Sequence, residues 1–190
     1  MKILLTGFVA FNNDTINPSE EILKNIDIDK ILLPVSFNKV EKILDDAINK
    51  YQPDFILSLG YASSRKEISI EKYAYNEMNA KIADNDGILC SGIKIKDDVD
   101  KIETNIDIDK MVNHFKKYHI YKSEDPGRFI CNEVYYLSLL KMNRNALFIH
   151  IPPIKEMKED GKDLSFLINA VKEVIKYING DLIWNGIMYY

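Results

Sequence analysis

Cys131 stands in this chain where a nucleophile would stand. In "DPGRFICNEVYYLSLL", residues 125–140, it follows a Pro-Gly turn and precedes apolar residues at helical spacing. That order predicts a helix with Cys131 in its first turn. There the unpaired backbone N–H groups and the positive end of the dipole favour a thiolate and can hold an oxyanion. A small core side chain fits the same position, and local physics leaves both readings open. Cys90, the second cysteine, lies in an irregular stretch with no helix start or base in view, and reads as packing.

A nucleophilic cysteine requires a base. His114 and His119 lie on the mostly polar segment "KMVNHFKKYH" and read as surface residues. His150 differs, because it ends the apolar run "ALFIH", and open α/β sheets bind ligands at the carboxyl ends of their strands. A satisfied core histidine is the alternative. An acid that orients the imidazole would complete the set. Glu71 in "ISIEKYAYN" is the acidic residue in the sharpest local context, although by chemistry alone it fits equally well as half of a surface pair with Lys72.

The elements that must bring these residues together follow from periodicity. Residues 2–8, 30–37, 54–61 and 146–152 are short apolar runs of the kind that form buried strands. Between them, "NPSEEILKNI" reads as a helix with Asn17 as N-cap and Pro18 at its first position. Val40, Ile43, Leu44, Ala47 and Ile48 share one helical face behind Asn38 as the expected cap, with Glu41 three residues on. Further helices are expected over residues 107–119 and 163–178, with a strand at "IYKSE" before the cysteine segment.

Strands alternating with amphipathic helices imply a largely parallel sheet covered on both faces. Residues 68–106 break that rhythm with short alternating pieces that suggest hairpins at a sheet edge and loops facing a substrate. The fold class expected is α/β, a three-layer α/β/α sandwich with a twisted, mostly parallel, partly mixed sheet, forming one domain over residues 1–190.

Composition narrows the function. With 46% hydrophobic residues, 28% charged and a net charge of -4, the chain has no basic excess, and its lysines and arginines alternate with acids. Nucleic acid is therefore not an expected partner. No apolar run approaches the roughly 18 residues of a membrane helix. "MKILLTGFVAF" leads into polar residues without a cleavage pattern and reads as a first strand, not a signal peptide. Two cysteines do not make a disulfide framework, and a reducing, cytoplasmic setting is expected.

The chain also resembles the pyroglutamyl peptidase I family of cysteine peptidases. "GYASSRKEISIEKYAYN" is similar to the family's glutamate motif at Gly60, Arg65, Ile68, Ser69, Glu71, Lys72, Ala74 and Asn76. Ser123, Asp125, Gly127, Phe129, Ile130, Cys131 and Asn132 fit the cysteine motif, and "FIHIP" the histidine segment. "LLTGFVAFNNDTINPS" and "NAKIADNDG" match in family order, so the likeness runs from near residue 3 to near residue 153. Several motifs in order are far more specific than any one. The chain departs from the pattern at Asn12-Asn13 (usually two glycines), Ser63, Tyr73, Lys81 (commonly arginine), Pro126 (usually alanine) and Pro153 (usually tyrosine).

The resemblance implies a hydrolase that removes an N-terminal pyroglutamyl (5-oxoproline) residue. It implies Cys131 as nucleophile, His150 as base and then acid to the leaving amine, and Glu71 as the residue orienting His150. Phe8, Phe11, Asn17, Ile82, Phe129 and Ile130 would surround the lactam ring. It further implies no metal or organic cofactor, a peptide substrate and a homo-oligomer, commonly a tetramer. The other functions considered are a thiol amidase for another small cyclic or blocked amide, and an inactive binding protein on the same scaffold.

Overall fold

The computed structural model describes residues 1–184, with side chains as far as residue 180. The aromatic tail "WNGIMYY", expected to pack on the body or on another subunit, lies outside the described side chains.

Four strands run parallel: β1 (Ile3–Phe8), β2 (Lys30–Leu33), β3 (Phe55–Tyr61) and β8 (Ala146–Ile151). β4 (Ser69–Glu71) lies antiparallel to β8 and parallel to β7 (Tyr121–Ser123), giving a mixed sheet in the order β2-β1-β3-β8-β4-β7. β5 (Tyr73–Tyr75) and β6 (Lys101–Glu103) form a separate antiparallel ribbon. The irregular middle of the chain is thus only partly an edge hairpin. Its three residues Ser69–Glu71 enter the main sheet beside the histidine strand.

The helices cover both faces. α1 (Pro18–Lys24), α3 (Ile108–His114) and α5 (Leu164–Trp184) share one apolar core with Leu5, Leu57, Leu147 and Ile149. α2 (Val40–Tyr51) and α4 (Ile130–Lys141) share the other with Leu4, Ile56, Ala146 and Phe148. The result is the expected α/β/α sandwich. From β1 the chain passes through α1 to the outer strand β2, then returns through α2 on the opposite face to β3. The winding reverses between β1 and β3, which opens a crevice at their carboxyl ends.

Local signals explain most boundaries. Asn17 caps α1, its side chain accepting from the Ser19 N–H at 3.0 Å, and Pro18 follows at the first position. α2 starts one residue later than its expected cap. Lys39, not Asn38, occupies the N-cap position without a side-chain bond, because the Lys39 and Val40 N–H groups both donate to the Ser36 carbonyl and Asn38 stays exposed inside that turn. The helix expected over 107–119 ends at His114, and a short 3-10 turn at Lys116–Tyr118 leads to His119 in a left-handed conformation.

α4 is buried nearly all round, from Asn132 through Leu139, with no polar face. The main sheet covers one side, and the β5–β6 ribbon supplies Ala74 and Ile102 to the same core. A helix enclosed in this way carries apolar residues on every side. Cys131 therefore sits on the most firmly packed helix described.

Candidate active site

Cys131 is the second residue of α4 and is only half-buried. The Asp125-Pro126-Gly127 turn delivers it. Gly127 has φ +79°, a left-handed conformation that suits glycine, and its N–H donates to the Asp125 side chain at Oδ1 at 3.0 Å, an Asx turn. Pro126 is buried and presets this turn. Asn132 fixes the other side: its Oδ1 accepts from the Tyr75 N–H and its Nδ2 donates to the Tyr75 and Glu77 carbonyls, all at 2.8–2.9 Å. The Asn79 N–H donates to the Arg128 carbonyl at 2.9 Å.

His150 lies on β8, and Gly60 on β3 is its partner in register. A Cβ on Gly60 would lie 2.8 Å from the Cys131 sulfur, so that sulfur rests on the strand position beside the imidazole, on the same face of the sheet. On the other flank, His150 Nδ1 is 2.8 Å from Glu71 Oε1, both groups buried. Glu71 does not pair with Lys72 at the surface. It is fully buried, while Lys72 turns outward to Glu103 at 3.2 Å.

Residues given no role in the sequence reading also converge on Glu71. Arg65 lies 2.9 Å from Glu71 Oε1 and also donates to Ser69 Oγ; Ser69 Oγ in turn donates to Glu71 Oε1 at 3.4 Å. The Tyr135 hydroxyl donates to the Glu71 carbonyl at 2.8 Å. Burial pushes the Cys131 thiol up to about 12, with the charge of Glu71 adding to it. Its own backbone N–H and Arg65 act the other way. The sulfur therefore holds its proton until a base removes it.

A cavity opens at the carboxyl ends of β1 and β3, lined by Phe8, Phe11, Asn17, Phe129, Ile130 and Cys131 together with Val35 and Tyr61. Phe129 packs against Phe11 and edge-on against Phe37, at ring separations of 5.1 and 5.4 Å. Asn17 reaches Val9 O with its amide at 2.9 Å, tying the wall to the end of β1. Ile82 is not among these residues. It lies in an exposed bend, as does Lys81, and the neighbouring Asp84 turns inward to accept from the Phe37 and Ile88 N–H groups.

Tyr61 follows Gly60 at the end of β3, and a strand end at the crevice was the signal that could have found it. Asn12 and Asn13, which replace two glycines, both have positive φ (54° and 65°). The pair of glycines serves this conformation, and asparagine is the side-chain-bearing residue that adopts it at least cost.

The other candidates lie apart. His114 and His119 are exposed; His114 packs edge-on against Phe115 and at a tilt against Tyr177, which belong to the opposite core. Cys90 is buried among apolar residues. Among the described residues, no group of three or more His, Cys, Asp or Glu side chains could hold a metal ion, and no helix is long and apolar enough to cross a membrane.

Comparison with known proteins gives a consistent result. The model of the pyroglutamyl peptidase family matches residues 1–179. The chain is 32% identical to a pyrrolidone-carboxylate peptidase of Lactobacillus acidophilus, over 93% of this chain and 98% of the relative. It is 36% identical to the one of Thermosipho melanesiensis, over 80% and 83%. Among solved structures it matches a mutant pyrrolidone carboxyl peptidase of Pyrococcus furiosus with a TM-score of 0.89 at 29% identity, covering 96% of this chain and 100% of that one.

Proposed function

We propose, since the chain belongs to the pyroglutamyl peptidase family, that it hydrolyses the bond after an N-terminal pyroglutamyl residue through Cys131, His150 and Glu71. The observation that carries this reading is the convergence of the three on one face of the sheet, beside an aromatic cavity whose lining includes the Cys131 sulfur's residue.

A pyroglutamyl residue is a flat lactam without a charged amine. A site that selects it needs aromatic walls and few polar groups, and no carboxylate for an ammonium. Phe8, Phe11 and Phe129 supply such walls.

Glu71 accepts at Nδ1 of His150, which leaves Nε2 for the thiol. Because the sulfur keeps its proton at rest, His150 acts as general base while the sulfur attacks the acyl carbonyl. The S–H proton moves to the imidazole, and the carbonyl oxygen takes the negative charge. The first N–H groups of α4, which have no intrahelical acceptor, would hold it. Collapse breaks the C–N bond, the imidazolium protonates the leaving amine, and a pyroglutamyl thioester remains on Cys131. Water, deprotonated by His150, then releases pyroglutamate and restores the thiol.

The reading is tested by fluorophore release from a pyroglutamyl amide beside the prolyl amide, which differs by carrying a charged ring nitrogen in place of the lactam. Cleavage of the first and not the second is expected. Folded protein that turns over no pyroglutamyl amide would instead favour an amidase for another blocked amide, or a binding role.

A further inference from the structure

We propose that Arg65 is a positioning residue of this site, a single guanidinium that fixes the Glu71 carboxylate and at the same time anchors the loop that carries Cys131. The proposal rests on the Cys131–His150–Glu71 reading and adds a fourth residue to it.

Arg65 lies in the loop between β3 and β4, and its side chain is only 16% exposed. One terminal nitrogen, Nη2, is 2.9 Å from Glu71 Oε1, 3.2 Å from Ser123 Oγ and 3.1 Å from the Asp125 carbonyl. The other, Nη1, donates to Ser69 Oγ and reaches the Tyr121 hydroxyl at 3.3 Å. These partners belong to three consecutive parts of the site: β4 with the acid, β7 beside it, and the loop from β7 into α4. Glu71 and Ser123 are partners in register, so the guanidinium bridges adjacent positions of the sheet edge. Asp125, whose carbonyl it holds, is the first residue of the Pro-Gly turn that sets where α4 begins.

The same geometry has an electrostatic consequence. Glu71 is a fully buried carboxylate beside a sulfur that must lose a proton, and its charge opposes that loss. Arg65 is the cation that acts on the sulfur in the favourable direction. A lysine would keep the charge. As a compact ammonium with a single nitrogen, it would not reproduce the planar fork, one arm of which reaches Glu71, Ser123 and Asp125 while the other holds Ser69 and Tyr121. The two roles therefore separate by substitution.

The experiment compares wild type, Arg65→Lys and Arg65→Met by thermal melting, by kcat and KM on a pyroglutamyl amide, and by the pH dependence of Cys131 alkylation with iodoacetamide, read by mass spectrometry on the Cys131 peptide. For Arg65→Met the expected result is a kcat lowered at least about tenfold with KM nearly unchanged, and an alkylation profile displaced to higher pH. For Arg65→Lys, a lowered kcat with the wild-type alkylation profile is expected. Folded Arg65→Met with wild-type kcat and profile would overturn the proposal. Should Arg65→Met not fold, Arg65→Lys decides: a lowered kcat supports the anchoring role and a wild-type kcat rejects it. A wild type that cleaves no pyroglutamyl amide would count against the proposed function, and the alkylation profiles would still judge Arg65.

Discussion

Gly60 faces the Cys131 sulfur so closely that a Cβ at this position would lie 2.8 Å from Sγ and 2.6 Å from Cζ of Phe148. The glycine is a matter of space: its backbone conformation is one that any residue adopts, and a strand with no side chain here lets α4 settle its first turn onto the sheet. Because Gly60 is paired with His150 across the β3–β8 ladder, the space it leaves is the space in which thiol and imidazole share one face.

Substitution of Gly60 by alanine should therefore harm catalysis. Phe148 is fully buried and packs on Phe8, Tyr135 and His150, so the sulfur is the group freer to move. We expect kcat/KM to fall at least about tenfold through misplacement, with a stability loss of about 1–3 kcal/mol from overpacking. Kinetics and urea melts on the same preparation check both.

Glu71→Gln keeps the shape of the acid and removes the charge that orients His150. By analogy with the loss of the acid in other triads, kcat should drop on the order of ten-thousandfold, while KM, set by the aromatic cavity, changes little. Steady-state kinetics separate the two.

Phe11→Ala opens one wall of the cavity and removes the ring that packs on Phe129 at 5.1 Å. Phe11 is half-buried, so the stability cost should stay small while KM rises by roughly tenfold, the value of about 1.4 kcal/mol of lost contact. Competition by free pyroglutamate should weaken in parallel.

Glu133, two residues after Cys131, supplies a pH dependence unrelated to the reaction. Burial pushes its carboxyl to about 8; Glu41 and Asp84 add to the shift and Lys96 opposes it. Cys90 also lies within reach of its charge. A carboxyl raised in the folded state binds its proton more tightly folded than unfolded. Stability is then full below about pH 4.5, its ordinary value, and falls as pH rises through about 8. The full loss should be on the order of 5 kcal/mol, about 3 kcal/mol of it above pH 5.5. Urea unfolding at pH 5.5 and 8.5 should show it in wild type, with a flatter dependence in Glu133→Gln.

Much of this architecture was legible in the sequence. The parallel strands, Asn17 as cap, and Cys131 in the first turn of α4 all follow from local periodicity and capping. β4 was not legible as a central strand, because three residues are too few for a period, and their place next to β8 is fixed by pairing across almost eighty positions of chain. The roles of Arg65 and Ser69 escaped for the same reason, since nothing local says that an arginine before a short strand will turn back onto its glutamate. Ile82, expected at the lactam ring, is 48% exposed because Asp84 draws the loop's polar side inward and leaves the isoleucine outside.

The central claim is that Cys131 carries the acyl group. Its most direct measurement is turnover of a pyroglutamyl amide by wild type and Cys131→Ala at equal concentration, with thermal melts to verify folding. The account predicts release of the fluorophore by wild type and a loss of at least about ten-thousandfold in kcat/KM for the variant. Turnover that survives the substitution in folded protein would contradict it.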